Sequence, residues 1–397
     1  MIKNKNLLNV IKRLSFTLLI VIVYLAGTYI PLPFADITHQ YAQAVKDTPL
    51  TLLGAFSGAN YARLSIFSIG LNPLMFSMVI MQILMMTKVG GFDALSQNQV
   101  QYFMHFLTFI FTIGQALFLV SNIDKDRNLS QDIKMTIILT AGSCLVVWLC
   151  YRNIKYGVGA SAPVILTGIL NNAIPNIMLN VKLLLTFKYA WLWIVTLILF
   201  ILALIIFWVA FNRAYYPLRV INPNLPSKSK PMLVPIGLNT AAMMMYMIGM
   251  AMLTIPMMLG QKLGTNSVLS NRNLIMTISF IMALILFYFF MFVSFDPKDQ
   301  AKNFRNNHLY IKDVAPGKPT QKYLFRLIMI LAFPGAILNG LQLVFGLYGS
   351  YFLGHYASLA IIPMNIVMIT LFMSSIKDQI ATLLFPYKYD RLTRGEK

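Results

Sequence analysis

The sequence predicts an all-α, polytopic membrane protein, and three observations carry that prediction. Of 397 residues, 58% are hydrophobic and only 11% are charged, against about 25% charged in a typical soluble domain. Apolar runs recur along the whole chain, each near the roughly 20 residues that a helix needs to cross the hydrocarbon core. Basic residues outnumber acidic ones 32 to 12, for a net charge of +20, and they gather in alternate connections between the runs. These features exclude a soluble enzyme, a disordered chain and a disulfide scaffold. Cys144 and Cys150 share one apolar segment and read as small packing residues.

Ten segments have spanning character: 14–33, 71–87, 102–121, 135–151, 162–178, 189–211, 232–259, 274–295, 327–347 and 357–376. The first is too long for a signal-peptide core and ends in Pro31-Leu32-Pro33 rather than at small residues, so it reads as a retained span. The third holds His105, expected to make a polar contact between helices. The fifth carries Asn171, Asn172 and two prolines, so it is expected to lie among other helices or to line a cavity. The sixth is apolar all round and is expected to face lipid. The seventh, with Pro235, Gly237, Gly249 and Pro256, reads as a soft helix.

No Asp, Glu, Lys or Arg falls inside any of the ten. Ion-coupled carriers and pumps ordinarily use such a residue, so the pattern argues against proton or cation coupling. A cytoplasmic N-terminus places 23 of the 32 Lys and Arg on the cytoplasmic side and 9 outside. That asymmetry predicts N-in and C-in, and ten spans return the chain to the starting side. Topology thus accounts for most of the basic excess without a nucleic-acid ligand.

The stretch 51–70 (TLLGAFSGANYARLSIFSIG) is too polar and broken to span. It reads either as an outer loop or as a re-entrant segment packed into a cavity, the only setting in which irregular backbone is tolerated at membrane depth. Its run Phe56-Ser57-Gly58, with Arg63, Ser65-Ile66-Phe67, Gly70, Pro73 and Gln82, resembles the plug and second span of the SecY family of protein-conducting channel subunits. Other pieces follow in the family's order. VYLAGTYIPLP closes span 1, YGVGASAPVIL opens span 5, and APGKPTQKYLFRL precedes span 9. The chain departs from the general pattern in Gly157-Val158-Gly159-Ala160-Ser161, in Asn239-Thr240-Ala241-Ala242, in Ala315 where the family has Arg, and in shortened loops after span 2 and at 212–231. The shortened loops make it most similar to the accessory SecY of the second Sec system of Gram-positive bacteria.

The resemblance implies ten spans in two pseudo-symmetric five-helix halves, a clamshell of residues 1–178 and 189–397, with a short plug helix at about 51–70. It implies a plasma-membrane channel for unfolded preproteins bearing signal peptides, exporting serine-rich glycosylated adhesins. It also implies a partner motor of the accessory SecA type, SecE-like or accessory small membrane subunits, and no cofactor or enzymatic activity. Carried over residue by residue, the pore ring is Leu71, Met75, Ala162, Leu166, Met247 and Met368. The plug residues are Phe56, Ser57, Gly58, Arg63 and Ser65, and the lateral gate is Gln82 with Asn239. The motor-binding loops, 212–231 and 296–326, contribute Arg213, Arg219, Lys228, Lys230, Lys298, Lys302, Arg305, Lys312 and Lys318. Basic loops also attract anionic lipids, each Lys or Arg near the surface contributing about 1 kcal/mol. A housekeeping SecY is the alternative within the family. A secondary transporter or flippase fits the span count but has no midplane ionisable group. An intramembrane enzyme would need a nucleophile or carboxylate set, and His39, His308 and His355 lie outside the spans.

Overall fold

The structure is a computed structural model that describes residues 2–33, 64–87, 89–121, 129–185, 189–223, 232–249, 252, 272–353 and 359–385. Its long elements are helices. They are α1 (Ile2–Tyr29), α2 (Asn72–Thr87), α3 (Gln97–Ser121), α4 (Leu129–Tyr156), α5 (Ala162–Leu184) and α6 (Ala190–Arg213). They continue with α7 (242–249), α8 (Arg272–Ser294), α9 (Pro297–Asn306), α10 (Lys318–Leu353) and α11 (Ile361–Leu384). Eight helices among the described residues are long and apolar enough to cross a membrane, and Asn72–Met85 is a shorter apolar one.

These helices are amphipathic in a membrane sense. On α1 the buried residues Val10, Thr17, Ile20, Tyr24 and Gly27 form one stripe, while Leu8, Ile11, Leu18 and Ile22 are exposed. Apolar residues on both faces suit a helix with protein on one side and lipid on the other. Helix α6 is the extreme case: Trp208 is its one buried residue, which matches the expected lipid-facing sixth span. Helix α5 buries Val164, Ile165, Ile169, Ala173 and Asn180, while Asn171 and Asn172 are half-buried and Pro175 is exposed. His105 stacks on Tyr151 at 4.3 Å between ring centroids, so it does join α3 to α4, by ring contact.

One expectation is corrected. Within the mostly helical fold, a small three-stranded antiparallel sheet, ordered β2-β1-β3, is built from β1 (Tyr215–Ile221), β2 (Met232–Gly237) and β3 (Tyr310–Ile311). Consequently the predicted span 232–259 starts as strand β2, and α7 begins only at residue 242. Pro235 is the physical reason. It has no N–H for a helix interior but is tolerated on an edge strand, and it sits opposite Pro217 in the β1–β2 register. Pro235 and Gly237 therefore belong to the sheet and its exit and do not soften a helix; Pro256 lies outside the described residues.

One apolar cluster runs from α2 and α5 through α7, α8, α10 and α11 to the sheet. A smaller one, with Leu32, Leu64, Ile69, Leu119 and Leu139, closes the other end of α3 and α4.

Candidate functional site

Of the expected plug, the structure describes 64–70; Phe56, Ser57, Gly58 and Arg63 lie outside the described residues. Residues 64–70 form a fixed strut. Leu32 N–H donates to Leu64 O (2.9 Å) and Ile66 N–H to Ile30 O (3.2 Å), a short antiparallel bridge centred on Pro31 and Ser65. Ser68 Oγ accepts from Ser65 N–H (2.6 Å), and Ser143 Oγ on α4 donates to Gly70 O (3.1 Å). Phe67 stacks on Tyr24 with centroids 6.1 Å apart. Two glycines admit this packing: a Cβ at Gly27 would fall on the Phe67 ring, and one at Gly142 on the carbonyl oxygen of Ile66. Gly70 takes a positive φ of 58° and turns the strut into α2. Ser65 is 2% exposed, so this end of the segment is buried.

The expected pore residues all lie in or against one apolar cluster. Leu71, Met75, Ala162 and Met368 belong to the main apolar cluster, and Leu166 and Met247 pack against it. A cavity of about 500 Å³ opens at the sheet-bearing end, lined by Asn239 and Met243 at the start of α7 and by Leu371, Ser375, Asp378 and Thr382 on one face of α11. Met247 lies one turn past Met243, and Met368 one turn before Leu371. One turn is about 5.4 Å, so each of these methionines lies about one helical turn from a residue that lines the cavity.

Asn239 is tied into the C-terminal half. Its Nδ2 donates to Asn212 Oδ1 (2.5 Å), and its Oδ1 accepts from Asn339 Nδ2 (2.6 Å). Asn212 Nδ2 in turn donates to Thr370 Oγ1 (3.3 Å). This line of amides links α6, α7, α10 and α11. Gln82 sits half-buried on α2, and no hydrogen bond among the described residues joins it to Asn239. Amides buried together must satisfy one another, because an unmet one costs about 1–3 kcal/mol. Sequence reasoning missed Asn212, Asn339 and Thr370. Their partners are 27 to 158 residues apart, a pairing that no local pattern reveals.

A second knot joins α1, α4, α5 and α11. Asn153 Nδ2 donates to Val158 O (3.0 Å) and Ala160 O (2.7 Å), Thr17 Oγ1 donates to Asn153 Oδ1 (2.9 Å), and Gly159 N–H donates to Gln379 Oε1 (2.8 Å). Gly159 has a φ of 88°, a conformation that favours glycine. The Gly157–Ser161 run is thus the turn that seats α5.

The loops form a platform. Asp296 caps α9 by accepting from Lys298 N–H, with Pro297 in the first turn, an N-terminus of standard chemistry. Helix α9 buries Ala301 and Phe304 and exposes Lys298, Lys302 and Arg305, spaced four and three residues apart on one face. Strand β1 buries Leu218 and Val220 and exposes Arg219. Arg213, Lys312 and Lys318 are exposed nearby in the chain, and Lys228 and Lys230 lie outside the described residues. In the PGKPT turn, Gly317 adopts a φ of 96° and Thr320 Oγ1 donates to Ala315 O (2.8 Å).

The fold and site define a multi-pass helical membrane protein with an extended apolar interior, a cavity lined by Asn239 and one face of α11, and exposed basic residues on α9 and β1. The SecY family model matches residues 65–376. The accessory Sec system protein translocase subunit SecY2 of Lactobacillus johnsonii is 65% identical, over 99% of each chain. That of Streptococcus sanguinis is 26% identical, over 96% of this chain and 98% of its own. A solved protein-conducting channel shares the fold, with a TM-score of 0.62 at 15% identity over 95% of this chain and 94% of its own. The chain belongs to the SecY family, in its accessory Sec branch, as a protein-conducting channel subunit.

Proposed function

We propose that the chain conducts unfolded preproteins across the plasma membrane for an accessory Sec system, with serine-rich glycosylated adhesins as its passengers. What supports this reading is that Leu71, Met75, Ala162 and Met368 belong to one apolar cluster, that Leu166 and Met247 pack against it, and that Met243 and Leu371, about one turn from Met247 and Met368, line the cavity. An apolar constriction excludes water and ions when closed. It also gives a passing chain no directional bond to hold on to, and methionine side chains conform to varied surfaces. The protein is a channel and catalyses no reaction; energy comes from an accessory SecA-type ATPase.

Both termini and the sheet face the cytoplasm, in line with the 23-to-9 division of basic residues. The halves 1–178 and 189–397 part to admit a chain, residues 51–70 plug the passage, and Gln82 on α2 and the Asn239 line flank the lateral gate. SecE-like or accessory small subunits complete the assembly. Deleting this chain is expected to abolish export of a glycosylated serine-rich adhesin and to leave bulk secretion intact. Lethality with loss of bulk secretion would instead assign it the housekeeping role.

The platform receives the motor. Reversing Lys302, with Lys298 and Arg305, to glutamate is expected to weaken motor binding about tenfold at low salt. The difference shrinks above about 0.3 M salt, because exposed charges are screened within a Debye length. Titration calorimetry or fluorescence anisotropy at two salt concentrations measures it, and equal affinities at low salt would remove α9 from the interface.

A further inference from the structure

We infer that Asp378, on the face of α11 that lines the cavity, receives the basic n-region of a passenger's signal peptide, and that Leu371 and Met243 take the start of the apolar segment behind it. This rests on the channel reading above and adds a residue that selects the passenger by charge. Asp378 is the one charged side chain among the described residues that line the cavity. Ser375, Asp378 and Thr382 follow one another at spacings of three and four, which keeps them on one helix face. The Asp378 carboxylate is exposed, and among the described residues no Lys or Arg forms an ion pair with it, although Lys377 is its neighbour in the chain.

The polar groups around it are already engaged. Gln379 Oε1 accepts from Gly159 N–H (2.8 Å), Thr382 Oγ1 donates to Gln379 O (2.8 Å), and Asn239 is held by Asn212 and Asn339. The carboxylate is therefore the acceptor left open to a ligand. The end of α11 adds to it. The helix stops at Leu384, so Thr382 stands in its last turn and the cavity reaches the negative end of the helix, where free carbonyls favour a cation. An anion would meet no Lys, Arg or His among the described lining residues. Leu371 lies two turns before Asp378, a rise of about 10 Å, and Met243 lines the opposite wall. A signal peptide has the same order, a basic n-region and then an apolar run of about 7–15 residues. An inorganic cation would use the carboxylate and leave the apolar wall uncovered.

The test uses the purified full chain in nanodiscs and fluorescent peptides that share one apolar segment and carry either lysine or glutamine in the n-region. By anisotropy the parent is expected to bind the lysine peptide about threefold more tightly, the range of an exposed ion pair, and the preference should shrink as salt rises. D378N should bind both peptides alike, at the parent's affinity for the glutamine peptide. D378E should keep the preference, and so should D313N, which removes an exposed carboxylate elsewhere. Motor affinity should not differ between D378N and the parent. A lysine preference that survives in D378N would overturn the proposal. So would an equal drop for both peptides, which marks a structural role, or a loss of motor affinity, which assigns the carboxylate to the motor. Failure of the parent to bind either peptide would instead overturn the channel reading, and this site with it.

Discussion

Replacing Met247 with lysine is expected to make the resting channel leak ions. Met247 packs half-buried against the apolar cluster, one turn beyond the cavity floor. An ammonium group near mid-membrane costs about 2.5–3.5 kcal/mol unless it keeps water. If Met247 belongs to the proposed pore ring, hydrating the ammonium would wet that constriction, and a wetted constriction no longer gates by dewetting. The resting conductance of protein reconstituted in planar bilayers should rise several-fold. Met247→Leu, which conserves volume and polarity, should stay closed. A closed channel in both variants would place the constriction elsewhere.

The second large effect is expected at Gly142. Its substitution by valine drives a side chain into the backbone carbonyl of Ile66. A flexible side chain could move aside at little cost, but this obstacle is a peptide group held by the bridge to α1. Overpacking of this kind destabilises by about 1–3 kcal/mol, and the rigid obstacle puts this site at the upper end. The strut at 64–70 should lose amide-exchange protection, and thermal unfolding in detergent should start earlier. Gly114→Ala on α3 is the matched control. A Cβ there meets nothing within 4 Å, so alanine should be neutral or stabilising by up to about 1 kcal/mol through helix propensity. Equal behaviour of the two variants would remove the strut's structural role.

Much of the fold was legible early because one signal is local and another is positional. A span is a run of apolar residues, and neighbours suffice to define it. The family motifs single out Ser65, Gly70, the Gly157–Ser161 run and PGKPT, and in the structure Gly70, Gly159 and Gly317 adopt positive φ. The sheet escaped because β2 looks like the first turns of an apolar helix. Only its pairing with β1, some 15 residues away, distinguishes the two. The expected Gln82–Asn239 contact missed the asparagine line for a similar reason: Asn239 had several amide candidates, and composition does not rank them.

The sequence by itself determined that this chain lives in a membrane, that it crosses several times, and which segments carry basic charge. Those properties depend on transfer of single segments from water to lipid and need no knowledge of neighbours. Only the tertiary structure decided which amides meet, that 232–237 is a strand, that α9 turns its cations outward, and that Asn239 and α11 line one cavity. Each of these depends on distances between residues far apart in the chain, which are set when buried polar groups must find partners and apolar surfaces must fit without overlap.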